Sequence, residues 1–138
     1  MGYTGRCACG QVTLAVAGEP IATRQCWCRQ CQQIAGGGPT HNAMFASGDV
    51  AIDGRLASHA YLADSGNTLT QWFCPDCGSP VYSQSSARPH IKTLRFGVID
   101  APHELRPQMA IWLDDAPAWA MIDPALEQHR RQPAPTKA

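Results

Sequence analysis

The stretch Phe73-Cys74-Pro75-Asp76-Cys77-Gly78-Ser79 decides how the rest of the chain must be arranged. Two thiols separated by two residues can reach one ion, and the glycine behind them lets the backbone close around it. A thioredoxin-type redox pair would instead sit at the start of a helix in a βαβ setting. Here the flank is Pro80-Val81-Tyr82, which reads as turn and strand, so the metal turn is the better reading. Such a turn needs further ligands from elsewhere in the chain.

Working outward, the other cysteines fall into two groups, Cys7-Ala8-Cys9 and Cys26-Trp27-Cys28-Arg29-Gln30-Cys31, making seven in all. One tetrahedral zinc takes four thiolates, and a remainder of three is the ligand count of a zinc with an open position. On an extended segment residues i and i+2 project from the same face, so Cys7 and Cys9 can meet one ion. Spacing alone leaves the partition open. Cys7 and Cys9 can join Cys74 and Cys77, or they can join Cys26 and Cys28 and leave Cys31, Cys74 and Cys77. In the first arrangement the triad's fourth ligand is either an incoming thiol or, in a second structural site, an acid or a histidine, for which His41, His59, His90 and His103 are candidates. Distant segments must meet in the fold, and metal closure is part of what holds it.

The 138 residues suit one domain, expected over residues 1–123, with a polar, Pro-rich and flexible tail at 124–138 that carries His129-Arg130-Arg131. Eleven basic residues balance eleven acidic ones, so no chain-wide field draws the protein to nucleic acid or to anionic lipid. No apolar signal segment or membrane-spanning stretch is expected, which places the chain in the cytoplasm. There, clustered cysteines in odd number fit metal or catalysis better than a disulfide framework.

Val12, Leu14 and Val16 alternate with Thr13 and Ala15 as in a half-buried strand. Further strands are expected at 22–26, 43–45, 50–52, 59–62, 69–73, 81–83, 91–98 and 109–113. Helix is expected only at Arg29 to Ala35, which Gly36-Gly37-Gly38-Pro39 stops, and at Pro124 to Arg131. The pattern predicts a mostly β, mostly antiparallel fold with one or two short helical turns. Trp72, Trp112 and Trp119 read as core.

Cys7-x-Cys9-Gly10-x-Val12, Cys26-x-Cys28-x-x-Cys31 and Phe73-Cys74-x-x-Cys77-Gly78-Ser79 resemble the signature of the glutathione-dependent formaldehyde-activating enzyme family. Ala110-Ile111-Trp112 and Ala116-Pro117-Ala118-Trp119 are similar to its C-terminal strand and Trp element. The resemblance runs from about Tyr3 to Ile122. It implies small antiparallel sheets in a zinc-stapled, tent-like fold, with one zinc on Cys7, Cys9, Cys74 and Cys77. It also implies a second, open or labile zinc on Cys26, Cys28 and Cys31, where the family engages a thiol such as glutathione together with an aldehyde. The implied activity is that of a carbon-sulfur lyase, forming or cleaving an adduct like S-hydroxymethylglutathione, with Cys26, Cys28 and Cys31 as the catalytic centre. Trp27 stands where the family usually carries His, which either changes the lining of the pocket, and with it the use of glutathione, or simply packs an indole in the core beside the metal.

Under that reading zinc presents the sulfur as thiolate, and His41 or His90 is a candidate proton donor for the alkoxide. Arg24, Arg29 and Gln30 are candidate donors to the thiolate cluster. Gly36-Gly37-Gly38 is read as a helix stop, or alternatively as an anion nest. A non-catalytic zinc-stapled module that binds a thiol or a protein is the alternative function.

Overall fold

A computed structural model describes residues 2–63 and 65–134. In chain order these form β1 (Tyr3–Arg6), β2 (Thr13–Val16), β3 (Ala22–Cys26), α1 (Arg29–Ala35), β4 (Thr40–Ala46), β5 (Val50–Asp53), β6 (Ala57–Leu62), β7 (Thr68–Phe73), β8 (Pro80–Ser85), β9 (Ile91–Arg95), β10 (Met109–Ile111) and β11 (Glu127–Gln128). They build two sheets. A small antiparallel one has the order β1-β2-β5, and a large mixed one has the order β11-β10-β3-β4-β9-β8-β7-β6. No described helix is long and apolar enough to cross a membrane.

The alternation of each strand settles what the sheets do. Leu14 and Val16 of β2 are buried while Thr13 and Ala15 are exposed, as period-two patterning requires. The small sheet packs against one face of the large one. Val12, Leu14, Val16, Ala43, Phe45, Tyr82 and Leu94 meet there in the main core, and Trp72 stacks on Tyr82 with ring centroids 4.5 Å apart.

The opposite face of the large sheet follows directly from the register. Arg24 pairs with Asn42, Asn42 with Arg95, Thr93 with Ser83, Ser83 with Gln71, and Leu69 with Tyr61. Directly opposed residues point the same way, so polar side chains from six strands share one surface. That surface is the floor of the site described below.

Four sequence expectations change. The stretch 124–131, expected to be helical, is a turn followed by β11, which pairs in parallel with β10, itself parallel to β3. Pro124 and the turn around Asp123 are compatible with a helix start, but the carbonyl of Ala110 and the amides of Leu113 and Asp114 lie open to this segment. His129 N donates to Ala110 O at 2.9 Å, and Asp114 N donates to Arg130 O at 3.0 Å. These bonds, with the Asp114 carboxylate on Arg130 and Arg131 at 2.9 and 3.3 Å, join residues 127–131 of the expected tail to the sheet. Residues 135–138 of that tail lie outside the described residues.

The strand expected at 109–113 stops at Ile111 because Trp112 adopts a left-handed backbone, φ 58, which reverses the chain. Trp119 is 69% exposed rather than core. Its ring meets Trp27 edge-on, with centroids 6.3 Å apart, so one side packs and the rest faces solvent. The strand expected at 91–98 likewise gives way after Arg95 to a 3-10 turn at Phe96–Val98.

Candidate metal centre and its cavity

Cys7 and Cys9 lie in the turn that follows β1, and Cys74 and Cys77 in the turn between β7 and β8. Gly78 takes φ 77, and its N–H donates to Cys74 O at 2.8 Å, which curls the second turn around its sulfurs. Ala8 N donates to Ser79 Oγ at 3.0 Å and pins the two turns together. The Sγ atoms of Cys7 and Cys9 are 3.6 Å apart, and those of Cys9 and Cys74 are 3.8 Å apart. A sulfur tetrahedron around zinc, with bonds of about 2.3 Å, has edges of about 3.8 Å. All four sulfurs lie within 4.8 Å of one another, so the donor set and its spacing fit a closed site. Hydrogen bonds from Ser79 draw the Cys77 thiol down to about 5, favouring its thiolate.

Cys26 ends β3, Cys28 caps α1, and Cys31 lies in its first turn. The helix begins there because Cys28 Sγ accepts from Cys31 N at 3.3 Å. It ends at Gly36, which adopts φ 79. The glycine run is therefore a helix stop: Gly37 N donates to Gln32 O at 2.7 Å. The three sulfurs also lie within 4.8 Å of one another, and among the described residues no histidine or carboxylate joins them. Shared hydrogen bonds with Cys28 and Cys31, then burial, push the Cys26 thiol far up, while hydrogen bonds from Cys26 and Cys28 draw Cys31 down to about 3. Crowded thiols that cannot all ionise by themselves form a donor set suited to a thiophilic cation.

The triad opens into a cavity of about 350 Å³ on the polar face of the large sheet. Arg24 and Gln30, expected near the triad, do line it. Arg29 does not, its guanidinium being turned to Gln32 Oε1 at 2.7 Å. The two histidines named as proton donors are also elsewhere. His41 is paired in register with Gln25, one residue out of phase with the lining residues Asn42 and Met44, so it points to the opposite face. His90 is exposed in the loop before β9.

Trp27 is buried and absent from the cavity lining. Its Nε1 donates to Gln25 Oε1 at 3.1 Å, and Gln25 Nε2 meets His41 Nε2 at 3.1 Å. An indole N–H only donates. Gln25 must therefore present its oxygen to Trp27 and its amide hydrogens to His41, which makes His41 Nε2 the acceptor. Burial lowers the His41 pKa in the same direction, toward the neutral ring.

Arg95 is the residue that sequence reasoning missed. It is 7% exposed and lies on the cavity floor. Its Nη1 donates to Asn42 Oδ1, and its Nη2 donates to Gln71 Oε1 at 2.5 Å. A guanidinium has no acceptor, so each amide it meets is fixed in orientation. Asn42 Nδ2 then donates to Thr40 Oγ1 at 2.9 Å, which leaves the Thr40 hydrogen for the Cys31 sulfur it bonds. Gln71 Nε2 donates to Tyr61 Oη at 3.1 Å. The only signal for Arg95 in the sequence is its place in the alternating run 91–95, where it shares a phase with Ile91 and Thr93.

The model of the family described as glutathione-dependent formaldehyde-activating enzyme matches residues 2–115, and the chain belongs to that family. A crystal structure of a Rhodobacter sphaeroides protein is similar in fold, with a TM-score of 0.57 at 21% identity, covering 73% of this chain and 91% of that one. No curated protein matches the chain.

Proposed function

We propose that this chain is a zinc-dependent carbon-sulfur lyase that forms or cleaves an adduct between a small thiol, such as glutathione, and an aldehyde. The observation that carries the reading is the contrast between the two cysteine groups. Cys7, Cys9, Cys74 and Cys77 supply a full set of four donors, whereas Cys26, Cys28 and Cys31 supply three at the edge of a polar cavity. The first group would hold a structural zinc. The second would hold a zinc that lowers the pKa of an incoming thiol and so makes it a nucleophile in addition and a leaving group in reverse.

The chain's own residues serve that chemistry in definite ways. Thr40 holds a hydrogen bond on Cys31, and the buried Arg95 charge lies near both Cys31 and Cys26, so the negative charge of the thiolate set is offset from the floor of the cavity. Asn42 and Gln71 lock that guanidinium in place. Trp112 lines the cavity, its indole N–H held by Gln132 Oε1 at 3.0 Å. A reducing cytoplasmic setting suits seven cysteines that are all free thiols.

The test is metal content and activity together. Reduced protein should carry two zinc ions per chain, and mild chelation should remove one of them along with lyase activity. Cys28→Ser should do the same without unfolding the chain. Activity that survives both treatments would overturn the reading.

A further inference from the structure

The reaction proposed above leaves one group unassigned. Addition of a thiolate to an aldehyde forms the S–C bond while the C=O π pair moves onto oxygen, and that developing oxyanion needs a hydrogen-bond donor aimed at it. Neither His41 nor His90 can be that donor, because neither lines the cavity.

Tyr61 does line it. The ring comes from β6, on the same face of the sheet as Gln71 and Arg95, and the phenol is close enough to Cys31 and Cys28 to feel their charge. Its hydrogen-bond polarity is forced from below. Arg95 can only donate, so Gln71 must turn its oxygen toward Arg95 at 2.5 Å and its NH₂ toward Tyr61 at 3.1 Å. Tyr61 Oη therefore accepts from Gln71, and its own hydrogen is left for another partner. Among the described residues that hydrogen has no acceptor, and the group borders the cavity.

We propose that Tyr61 donates this hydrogen bond to the aldehyde oxygen as it becomes an oxyanion, with Arg95 and Gln71 setting the direction of the donor. This assignment rests on the lyase reading of the triad. The proton count closes without further groups. The thiol gives its proton to solvent on becoming a thiolate, and solvent returns one to the oxygen after the S–C bond has formed; in reverse the oxygen loses that proton as the bond breaks. Tyr61 itself keeps its proton throughout.

Two variants test the assignment. Tyr61→Phe keeps the ring and removes the donor, so kcat should fall roughly 100-fold, the usual loss for one oxyanion donor, with KM, zinc content and thiol binding nearly unchanged. Gln71→Glu keeps the phenol but offers it only acceptors, drawing the Tyr61 hydrogen away from the cavity, so kcat should fall in parallel. A purely structural role for Tyr61 does not predict that second loss. In wild type, binding of a stable hydroxyalkyl thioether should shift the ¹³Cζ resonance of Tyr61, and in Gln71→Glu it should not. If Tyr61→Phe keeps kcat within twofold of wild type while Cys28→Ser abolishes activity, the Tyr61 assignment is wrong and the lyase reading stands. If zinc-loaded wild type shows no lyase activity, both are wrong.

Discussion

Arg95 decides the chemistry of the cavity more than any other single side chain. A cation this deeply buried, bonded among the described residues to the neutral amides of Asn42 and Gln71, depends on nearby thiolate charge for its stability, and the thiolates depend on it in turn. Burial lowers its pKa and the neighbouring Cys31 raises it. Arg95→Lys keeps the charge but loses the fork that bonds two amides at once. We expect it to cost about 2 kcal/mol in chemical denaturation and to speed zinc loss to a chelator, because the Thr40 hydrogen bond to Cys31 is no longer oriented. His41 supplies a pH dependence with a definite sign. Its folded pKa lies below the ordinary 6.5 because the ring is buried. Below pH 6.5 the unfolded chain takes up a proton that the folded chain refuses, so stability falls as pH drops from about 6.5 toward the folded value. His41→Gln should flatten the part of the stability curve between pH 7 and 5.5 that belongs to this group, as read from denaturation midpoints for the two proteins.

At the scale of elements, the two cysteine turns and the C-terminal strand carry different loads. The first pair of turns links the small sheet to the β7–β8 hairpin through Ala8 and Ser79 as well as through sulfur. Cys9→Ser should therefore lower the melting temperature by several degrees and release amide protection at Cys7–Val12 and Cys74–Ser79, whereas Cys28→Ser should leave those amides protected. β11 was illegible in the sequence for a physical reason. It contributes two residues, Glu127 and Gln128, with no alternation to read, and it is held by long-range pairing with β10, continued beyond the strand by the amides of Leu113 and Asp114 on the carbonyls of His129 and Arg130. Deleting residues 127–138 should leave the main core intact while the amides of Trp112, Leu113 and Asp114 exchange much faster, measured by hydrogen exchange. It should also open the rim of the cavity, which Gln132 and Pro133 help to line.

For the whole molecule, the cysteine spacing revealed more than the strand patterning did. Groups of two, three and two, with Gly78 behind the last, announced metal-type sulfur clusters, because ligand geometry is local and leaves a mark on neighbouring residues; which pair joins which was open from spacing, and only the family resemblance implied the division that the fold shows. The floor of the cavity left no such mark. Asn42, Tyr61, Gln71 and Arg95 come from four strands, β4, β6, β7 and β9, and only the register of the large sheet brings them to one surface. Each taken singly reads as an ordinary half-buried strand position. The histidines misled for the complementary reason. Their chemistry suited the task, but alternation put His41 on the wrong face of β4.

The separation of the sulfur clusters along the chain also orders events during synthesis. The triad is complete within six residues, whereas Cys9 must wait for Cys74, 65 positions later. A growing chain on the ribosome therefore presents the five thiols from Cys7 to Cys31 before the closing pair exists. In an oxidising environment these five can cross-link with one another, and the turn at Cys74 then arrives to find its partners taken. Reducing conditions during translation, more than during later handling, are what should determine the yield of correctly clamped protein.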